Sequence, residues 1–304
     1  MQIRPLFFWI PTQNHGWQKH RRNFILPGGM SRKCGVNFLI RLGALLAGGL
    51  WATGGYAWEN SLGMRFAPVP GTKALFCVWE TRVKDFEAFI EASRYDAGKE
   101  IYVHTTEGNT ELAPDRNWRQ PGFSQAPDHP VVGVSWEDAQ AFCRWLTERE
   151  HRLGVLAEER QYRLPTDLEW SRAAGLTNEP GNTPQERFVQ VKDHYPWGGA
   201  WPPPNGAGNY AGALGVDGFE RTSPVGTFAP NAYGLYDLGG NACEWCEDWW
   251  NDQKKFRVLR GAAWNFECSS CLMSSYRFPN FPNMRMNNYG FRVVVGEQAI
   301  GDRR

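Results

Sequence analysis

The middle of this chain, from Gly175 to Trp250, is dense in glycine, proline, asparagine and aromatic residues and shows little hydrophobic periodicity. A period of 3.6 marks an amphipathic helix and a period of 2 marks a half-buried strand, so neither element is predicted to dominate this stretch. Buried backbone groups still need partners, and bound cations supply them in many ordered loops. The sequence therefore predicts a fold in which long ordered loops form much of the structure.

The flanking regions predict three short helices. Apolar residues at helical spacing predict a helix over Val83–Ser93. Ser135 and Asp138 form the N-terminal cap of a second helix in "SWEDAQAFCRWLTERE", and Thr166 with Glu169 forms a capping box at the start of a third. These caps indicate that each helix begins at a defined residue.

Short strands are predicted in "RVLRGAAW" (257–264) and in "YGFRVVV" (289–295), while residues 96–130 have the glycine, proline, asparagine and aspartate content of an irregular connection. We find no internal repeat beyond residue 58. A few helices, short strands and long loops indicate an α+β fold class.

The first 57 residues have the pattern of an export segment. A basic leader precedes the apolar run "LGALLAGGLWATGGYA", and Gly55 with Ala57 fits a small-x-small cleavage site, so the mature chain would begin at Trp58. An ordinary exported N-terminus can start at Met30, which makes residues 1–29 a candidate for a mis-assigned start. We expect a periplasmic, cell-surface or secreted protein without a stable membrane span. Signal anchoring is the alternative, although Arg41 interrupts the run and a span needs about 20 apolar residues.

The charge of the chain is unevenly distributed. Seven basic residues precede Glu59 without a single acid, so the remaining 26 basic and 32 acidic residues give the rest of the chain a formal charge of −6. Nucleic-acid phosphates require a basic face, so we expect no nucleic-acid partner. The chain also lacks the His-Glu-x-x-His, P-loop and Gly-x-Ser-x-Gly motifs, which removes the support for metalloprotease, kinase-like and serine-hydrolase functions.

Two Cys-x-x-Cys pairs lie close together in the last quarter of the chain. Cys243 and Cys246 stand in "NACEWCEDWW", and Cys268 and Cys271 stand in "ECSSC". Paired cysteines at this spacing are typical of zinc sites in cytosolic proteins, whereas an exported chain can keep disulfides. A metal site, one or two disulfides, and buried thiols all remain open at this point.

Six stretches together resemble the formylglycine-generating enzyme family, also called the sulfatase-modifying factor family. They are "HPVVGVSWEDAQAFCRWL", "YRLPTDLEWSRAAG", "YPWGG", "NAYGLYDLGGNACEWCEDWW", "RVLRGAAW" and "NNYGFRVVV". Their order and spacing match across residues 59–295. The resemblance implies one α+β domain over residues 58–304, related to the C-type-lectin-like fold, loop-rich and stabilised by calcium.

The resemblance also implies two calcium sites. The first would use the side chains of Asn209 and Asp217 with the carbonyl groups of Tyr210 and Phe219. The second would use the side chains of Asp237 and Glu244 with the carbonyl groups of Gly240 and Ala242. Such mixed oxygen ligands suit a hard cation, whereas the simpler alternative is that these acids and amides only cap turns.

Catalysis in the family implies a copper site that oxidises a substrate cysteine. Two cysteines with four residues between them hold Cu(I) there, but here Phe266 stands at the first position and only Cys271 at the second. Ala263 replaces an active-site serine and Cys243 a cleft tryptophan. We expect a rearranged site in which Cys268 and Cys271, with Cys243 as a third ligand, hold Cu(I) or, less favourably, Zn(II).

Two functions follow from these expectations. In the first, the protein is an exported oxidase that acts on the thiol of a sulfatase-like peptide, a protein or a small molecule. In the second, it is a non-catalytic lectin-like module that binds a peptide or a glycan. The stretch that contains Arg277, Asn287 and Asn288 would form one wall of the cleft in either case.

Overall fold

The computed structural model describes residues 56–105, 109–199 and 201–297. The predicted export segment therefore lies outside the described residues, except for residues 56 and 57. Within the described ranges, no helix has both the length and the apolar character that crossing a bilayer requires.

All three predicted helices are confirmed, and their caps form as the sequence indicates. The predicted helices are α1 (Val83–Ser93), α2 (Trp136–Arg152) and α3 (Asp167–Ala173). A single helical turn that was not predicted, α4 (Pro184–Arg187), follows them. At the start of α2, the Asp138 N–H donates to Ser135 Oγ (3.1 Å) and the Ser135 N–H donates to Asp138 Oδ2 (2.8 Å). Thr166 and Glu169 make the same reciprocal pair at the start of α3, with distances of 3.2 and 2.9 Å. These local bonds fix where the two helices begin.

Eleven short strands are found among the described residues. They are β1 (Trp58–Glu59), β2 (Arg65–Pro68), β3 (Leu75–Cys77), β4 (Ile101–His104), β5 (Thr110–Ala113), β6 (Arg160–Arg163), β7 (Cys243–Trp249), β8 (Arg257–Arg260), β9 (Arg277–Asn280), β10 (Tyr289–Phe291) and β11 (Val294–Glu297). The fold is α+β and loop-rich, with few helices and short strands.

The strands form two main sheets and one hairpin. The five-stranded sheet has the order β1-β2-β3-β11-β6 and is antiparallel throughout. The four-stranded sheet has the order β10-β7-β8-β9, in which β10 runs parallel to β7 with Tyr289 opposite Cys243. Strands β4 and β5 pair with each other. The most C-terminal of the described strands, β11, therefore lies between β3 and β6.

Two segments with a stated prediction differ in the structure. The segment "YGFRVVV" forms two strands in different sheets, because the Arg292 side chain between them is buried and donates to Glu244 and to the Cys77 carbonyl (3.0 Å). The predicted irregular connection over residues 96–130 contains the β4–β5 hairpin.

The long loop region agrees with the sequence prediction. In the described part of residues 188–242, the one regular helix is the 3-10 turn Gly212–Leu214. Three apolar clusters lie beneath the loops and sheets. The first contains Phe86 and Phe142, the second centres on Trp170, and the third includes Tyr210 and Cys271.

Candidate functional site

In the family that the chain resembles, the segment that binds copper corresponds to the residues after β8. Phe266, at the position of the first family cysteine, is half-buried and packs against the rings of Tyr276 and Phe278, with centroid distances of 6.5 and 6.1 Å. Cys268 and Cys271 form a disulfide with their Cα atoms 5.3 Å apart. Cys268 is half-buried, Cys271 is buried, and the Cys271 N–H donates to Cys268 Sγ (3.3 Å). An aromatic ring and a disulfide thus occupy this segment.

The other Cys-x-x-Cys pair lies in the core. The side chain of Cys243 belongs to the first cluster, that of Cys246 to the second, and that of Cys271 to the third. Burial raises the pKa of the Cys243 thiol well above its ordinary value, and the charges of Glu80 and Glu244 add to this effect. The described residues contain no group of three or more histidine, cysteine or acidic side chains arranged to hold a metal. The Cys243 side chain therefore packs in a different apolar cluster from the disulfide.

The first predicted calcium set has one oxygen without a hydrogen-bond partner. Asp217 accepts from the N–H groups of Tyr210 (3.0 Å) and Phe219 (2.9 Å), which draws these residues into one turn. The Asn209 amide nitrogen donates to the Arg221 carbonyl (2.8 Å), whereas Asn209 Oδ1 is buried with no partner in the structure. An unpaired buried oxygen is costly unless a ligand satisfies it. Asn209 and Asp217 therefore fit a calcium ion that each would hold through side-chain oxygen.

The second predicted calcium set already has strong internal partners. Asp237 Oδ2 accepts from the Gly226 N–H (2.7 Å). The Glu244 carboxylate accepts from Arg292 Nη2 (2.8 Å) and from the indole N–H of Trp170 (2.9 Å). Much of the hydrogen-bonding capacity of Glu244 is thus used within the protein.

The charge balance of this second set nevertheless suits a cation. Glu80 is also buried there, where its carboxylate accepts from the Ala242 N–H (2.9 Å). Burial, followed by repulsion from Asp237 and Glu244, raises the pKa of Glu80 well above its ordinary value. Burial is also the main reason why the pKa of Asp237 rises to about 6. Arg292 is one cation among three carboxylates, so a divalent cation at Asp237 and the Gly240 and Ala242 carbonyl groups fits by charge.

The three residues expected on the cleft wall have different positions. Arg277 is fully buried and donates to Asp167 (2.9 Å) and Glu179 (2.8 Å), so it is part of the core. The Asn288 side chain donates to Asn265 Oδ1 (2.9 Å). Asn287 lines a cavity.

That cavity has a volume of about 260 Å³, and sequence reasoning did not identify it. Its lining includes His104, Arg116, Phe123, Arg221 and Asn287. These residues come from distant parts of the chain, so no motif in the sequence signals the cavity.

Trp264 connects the cavity to the disulfide segment. The Arg221 guanidinium lies 4.6 Å above the Trp264 ring, and the rings of Phe123 and His104 meet it at centroid distances of 5.7 and 6.3 Å. Burial and then the Arg221 charge lower the pKa of His104. The site therefore combines an aromatic floor with cationic walls.

Comparisons with known proteins agree with this geometry. Residues 49–296 match the family model described as "Sulfatase-modifying factor enzyme 1-like domain". The formylglycine-generating enzyme of Bos taurus is 35% identical over 205 residues, which cover 59% of this chain and 48% of that protein. The inactive C-alpha-formylglycine-generating enzyme 2 of Bos taurus is 34% identical over 197 residues, which cover 59% and 56%. The chain spans about half the length of these bovine relatives.

A solved structure supports the same fold. PvdO from Pseudomonas aeruginosa is similar with a TM-score of 0.55 and 20% identity, over 81% of this chain and 100% of that chain. The match with the family model extends over most of the sequence. The chain therefore belongs to the sulfatase-modifying factor, or formylglycine-generating enzyme, family.

Proposed function

We propose that this protein is a binding member of its family, which holds a peptide segment of a partner protein in the cleft beside Trp264 without copper-dependent thiol oxidation. The observation that carries this proposal is the packing of Phe266, whose ring fills the position of the first copper cysteine among Tyr276 and Phe278. Aromatic side chains such as Phe123 and Trp264 give a peptide cleft contact area at a low cost in conformational entropy.

Thiol oxidation is the second candidate, and the placement of Cys268 and Cys271 favours it. The Cys271 N–H already points at Cys268 Sγ (3.3 Å), where it would stabilise a thiolate after reduction of the disulfide. The reduced pair would offer Cu(I) two soft ligands, and the ion would supply redox chemistry toward dioxygen. Cys243 would have to leave the first cluster to join them.

A Cu(I) titration distinguishes the two candidates. The full chain is titrated under reducing, anaerobic conditions beside Cys271→Ser and the exposed control Ser269→Ala. The copper-loaded proteins are then mixed with cysteine peptides in the presence of dioxygen as oxidant, and conversion to aldehydes is followed by mass spectrometry. If the protein is a peptide-binding module, we expect no tight one-to-one binding of Cu(I) that depends on Cys271. The cysteine peptides should then remain unmodified. Tight binding that only Cys271→Ser abolishes, together with aldehyde formation, would establish the oxidase.

The binding function has its own test. Peptides selected for binding from a displayed library are measured against Phe123→Ala, in the cleft, and against Phe281→Ala, whose exposed ring contacts Phe256 outside the cleft. We expect Phe123→Ala to raise Kd about tenfold, and Phe281→Ala to leave it unchanged. Selection of glycans but no peptides on parallel arrays would favour the lectin-like alternative.

We also propose that the protein is exported after cleavage near Ala57. The acid-free basic leader and the apolar run support this proposal. Because β1 begins at Trp58, cleavage would keep both of its residues paired with β2 and remove only the bond from the Ala57 N–H to the Phe66 carbonyl (2.7 Å). N-terminal sequencing of the native protein tests the site. A start at residue 1 or 30 would contradict cleavage and favour the anchored alternative.

A further inference from the structure

The cavity beside Trp264 is lined by three side chains that carry or accept positive charge. His104 lies at the end of β4, Arg116 follows β5, and Arg221 belongs to the loop before β7. None of the lining residues that the structure describes is acidic. The cavity, with a volume of about 260 Å³, can therefore accept a small anionic group in a positive field.

Arg116 and Arg221 lack the carboxylate partners that several other arginines of this domain have. Arg163 and Arg285 each bind a carboxylate, on Glu169 and Asp138 respectively. Within the described ranges, no carboxylate lies within 4.0 Å of the guanidinium groups of Arg116 or Arg221.

Arg221 is nevertheless held in place. One of its N–H groups donates to the Glu220 carbonyl (3.0 Å), and its plane lies over Trp264. Such an arginine is oriented before a ligand arrives, which lowers the entropic cost of binding.

Asn287 holds the backbone of the residue that carries the third side chain. Its Oδ1 atom accepts from the backbone N–H of His104 (2.9 Å), so the end of β4 is tied to a residue just before β10. The Asn287 side chain is itself buried, which keeps this bond protected from water. Asn287 is therefore a positioning residue for the His104 wall of the cavity.

We propose that His104, Arg116 and Arg221 form an oxyanion-binding site, with the arginine N–H groups and the imidazole as donors. The oxyanion can be a free inorganic ion or the carboxylate of an acidic peptide side chain. The peptide source rests on the proposed function, whereas the anion site itself does not. In the peptide case, the site gives the cleft a preference for segments with an aspartate or glutamate next to the residue that packs on Trp264.

The test uses the full chain with inorganic phosphate as the first probe and a short glutamate-containing peptide as the second. His104 is one of six histidines, so its NMR signals are assigned with a His104→Gln variant. We expect saturable shifts of these signals. Arg116→Gln and Arg221→Gln should each raise Kd about tenfold, because each removes a charge-assisted hydrogen bond. The control is Arg119→Gln, which lies outside the cavity and pairs with Glu87.

The titration of His104 gives a second readout. Arg116 and Arg221 are the charged groups that line the cavity with it, and the anion would offset the repulsion of the imidazolium by Arg221. Phosphate should therefore raise the pKa of His104 in the wild type and raise it less in Arg221→Gln. By linkage, the anion should bind more tightly as the pH falls through that pKa.

The outcomes separate this inference from the proposed function. Phosphate binding that depends on Arg116 and Arg221 without peptide binding supports the anion site and contradicts the peptide function. Binding of the glutamate peptide that both variants weaken supports both proposals. Peptide binding that is indifferent to the two arginines would leave only the inorganic anion as the ligand. The anion site itself would be overturned if neither phosphate nor the glutamate peptide shows saturable binding that depends on Arg116 and Arg221, or if Arg119→Gln weakens binding equally.

Discussion

Asp167 connects the most densely charged part of the core. Its carboxylate accepts from Arg187 (3.0 Å), Arg277 (2.9 Å) and Arg260, and all four side chains are buried. Burial alone would raise the pKa of Asp167, but the three guanidinium groups overcome this effect and lower it to about 2. Asp167 therefore pairs with three buried guanidinium groups, one of which, on Arg277, is also paired with Glu179.

We predict that Asp167→Asn lowers the free energy of unfolding by about 3–5 kcal/mol, because removing one member of a buried ionic network leaves the others uncompensated. Urea unfolding at pH 7 measures the change. The exposed Asp252→Asn is the control and should stay within about 0.5 kcal/mol of the wild type. Equal effects of the two substitutions would show that the network contributes little.

The same residue gives a pH dependence with a defined sign. The pKa of Asp167 is about 2 in the folded protein and has an ordinary value of 3.8, so its contribution is complete above pH 3.8. It is lost as the pH falls from 3.8 toward 2. The difference in unfolding free energy between wild type and Asp167→Asn should therefore shrink over that range. A difference that stays constant down to pH 2 would contradict this assignment.

Individual site residues were only partly predictable from the sequence. In the first calcium set, Asp217 accepts from the N–H of Tyr210, the residue after Asn209, and Asn209 Oδ1 is left unpaired, so calcium binding there stays a prediction. Arg277 was expected on the cleft wall, but it pairs with Asp167, which lies 110 positions earlier. Such long-range pairs leave no local pattern. His104 reads in the sequence as a single loop histidine without a partner at ligand spacing, because only the folded chain brings it to one cavity with Arg221.

The parallel pair β7–β10 imposes a close approach at Gly290. A Cβ atom on this residue would lie 2.6 Å from the carbonyl oxygen of Val131, which is a backbone atom and cannot rotate away. The loop before α2 therefore packs directly on the β10 backbone. Glycine is required here by space, because only a residue without Cβ fits.

We predict that Gly290→Ala lowers the free energy of unfolding by about 1–3 kcal/mol, since it forces the loop or the strand to move. Gly218→Ala is the matched control, because a Cβ there has no neighbour within 4 Å and the residue has no left-handed backbone angle. Urea unfolding of both variants measures the effect. A loss no greater than that of the control would mean that the loop moves at little cost.

Helices were more predictable than strands for a local reason. The caps at Ser135 and Thr166 lie within three residues of their partners, and Gly175, just after α3, has the left-handed angle of a helix stop (φ +86°). Strand β7 was not predicted, because its first four residues are all buried and show no alternation. A strand covered on both faces lacks the period-2 signal.

The loop-rich half of the molecule is where bound calcium would have its greatest effect. Asn209 and Asp217 hold one loop and Asp237 holds the next, while backbone ladders are scarce between them. We predict that calcium in about 100-fold excess over Kd raises Tm by roughly 5–10 °C, because it binds only the folded chain. Differential scanning calorimetry with calcium and with EDTA measures this shift.

The control for calcium is a conservative pair of variants. Asp217→Asn keeps the size of the side chain but removes its charge, and it should reduce the shift in Tm. Asp193→Asn alters an exposed aspartate at a left-handed position that asparagine also tolerates, and the full shift should remain. An equal Tm with EDTA and with calcium would mean that the side-chain oxygens of Asn209, Asp217 and Asp237 only cap turns.

The position of β11 has a consequence for the order of events during synthesis. Strands β3 and β6 do not pair with each other; each pairs with β11, which is made after both. The five-stranded sheet therefore cannot be completed until residues 294–297 have emerged from the ribosome. Completing it joins segments that lie more than a hundred residues apart in the sequence. For the export that we propose, a translocation channel would receive the N-terminus of a chain that cannot yet have formed its five-stranded sheet.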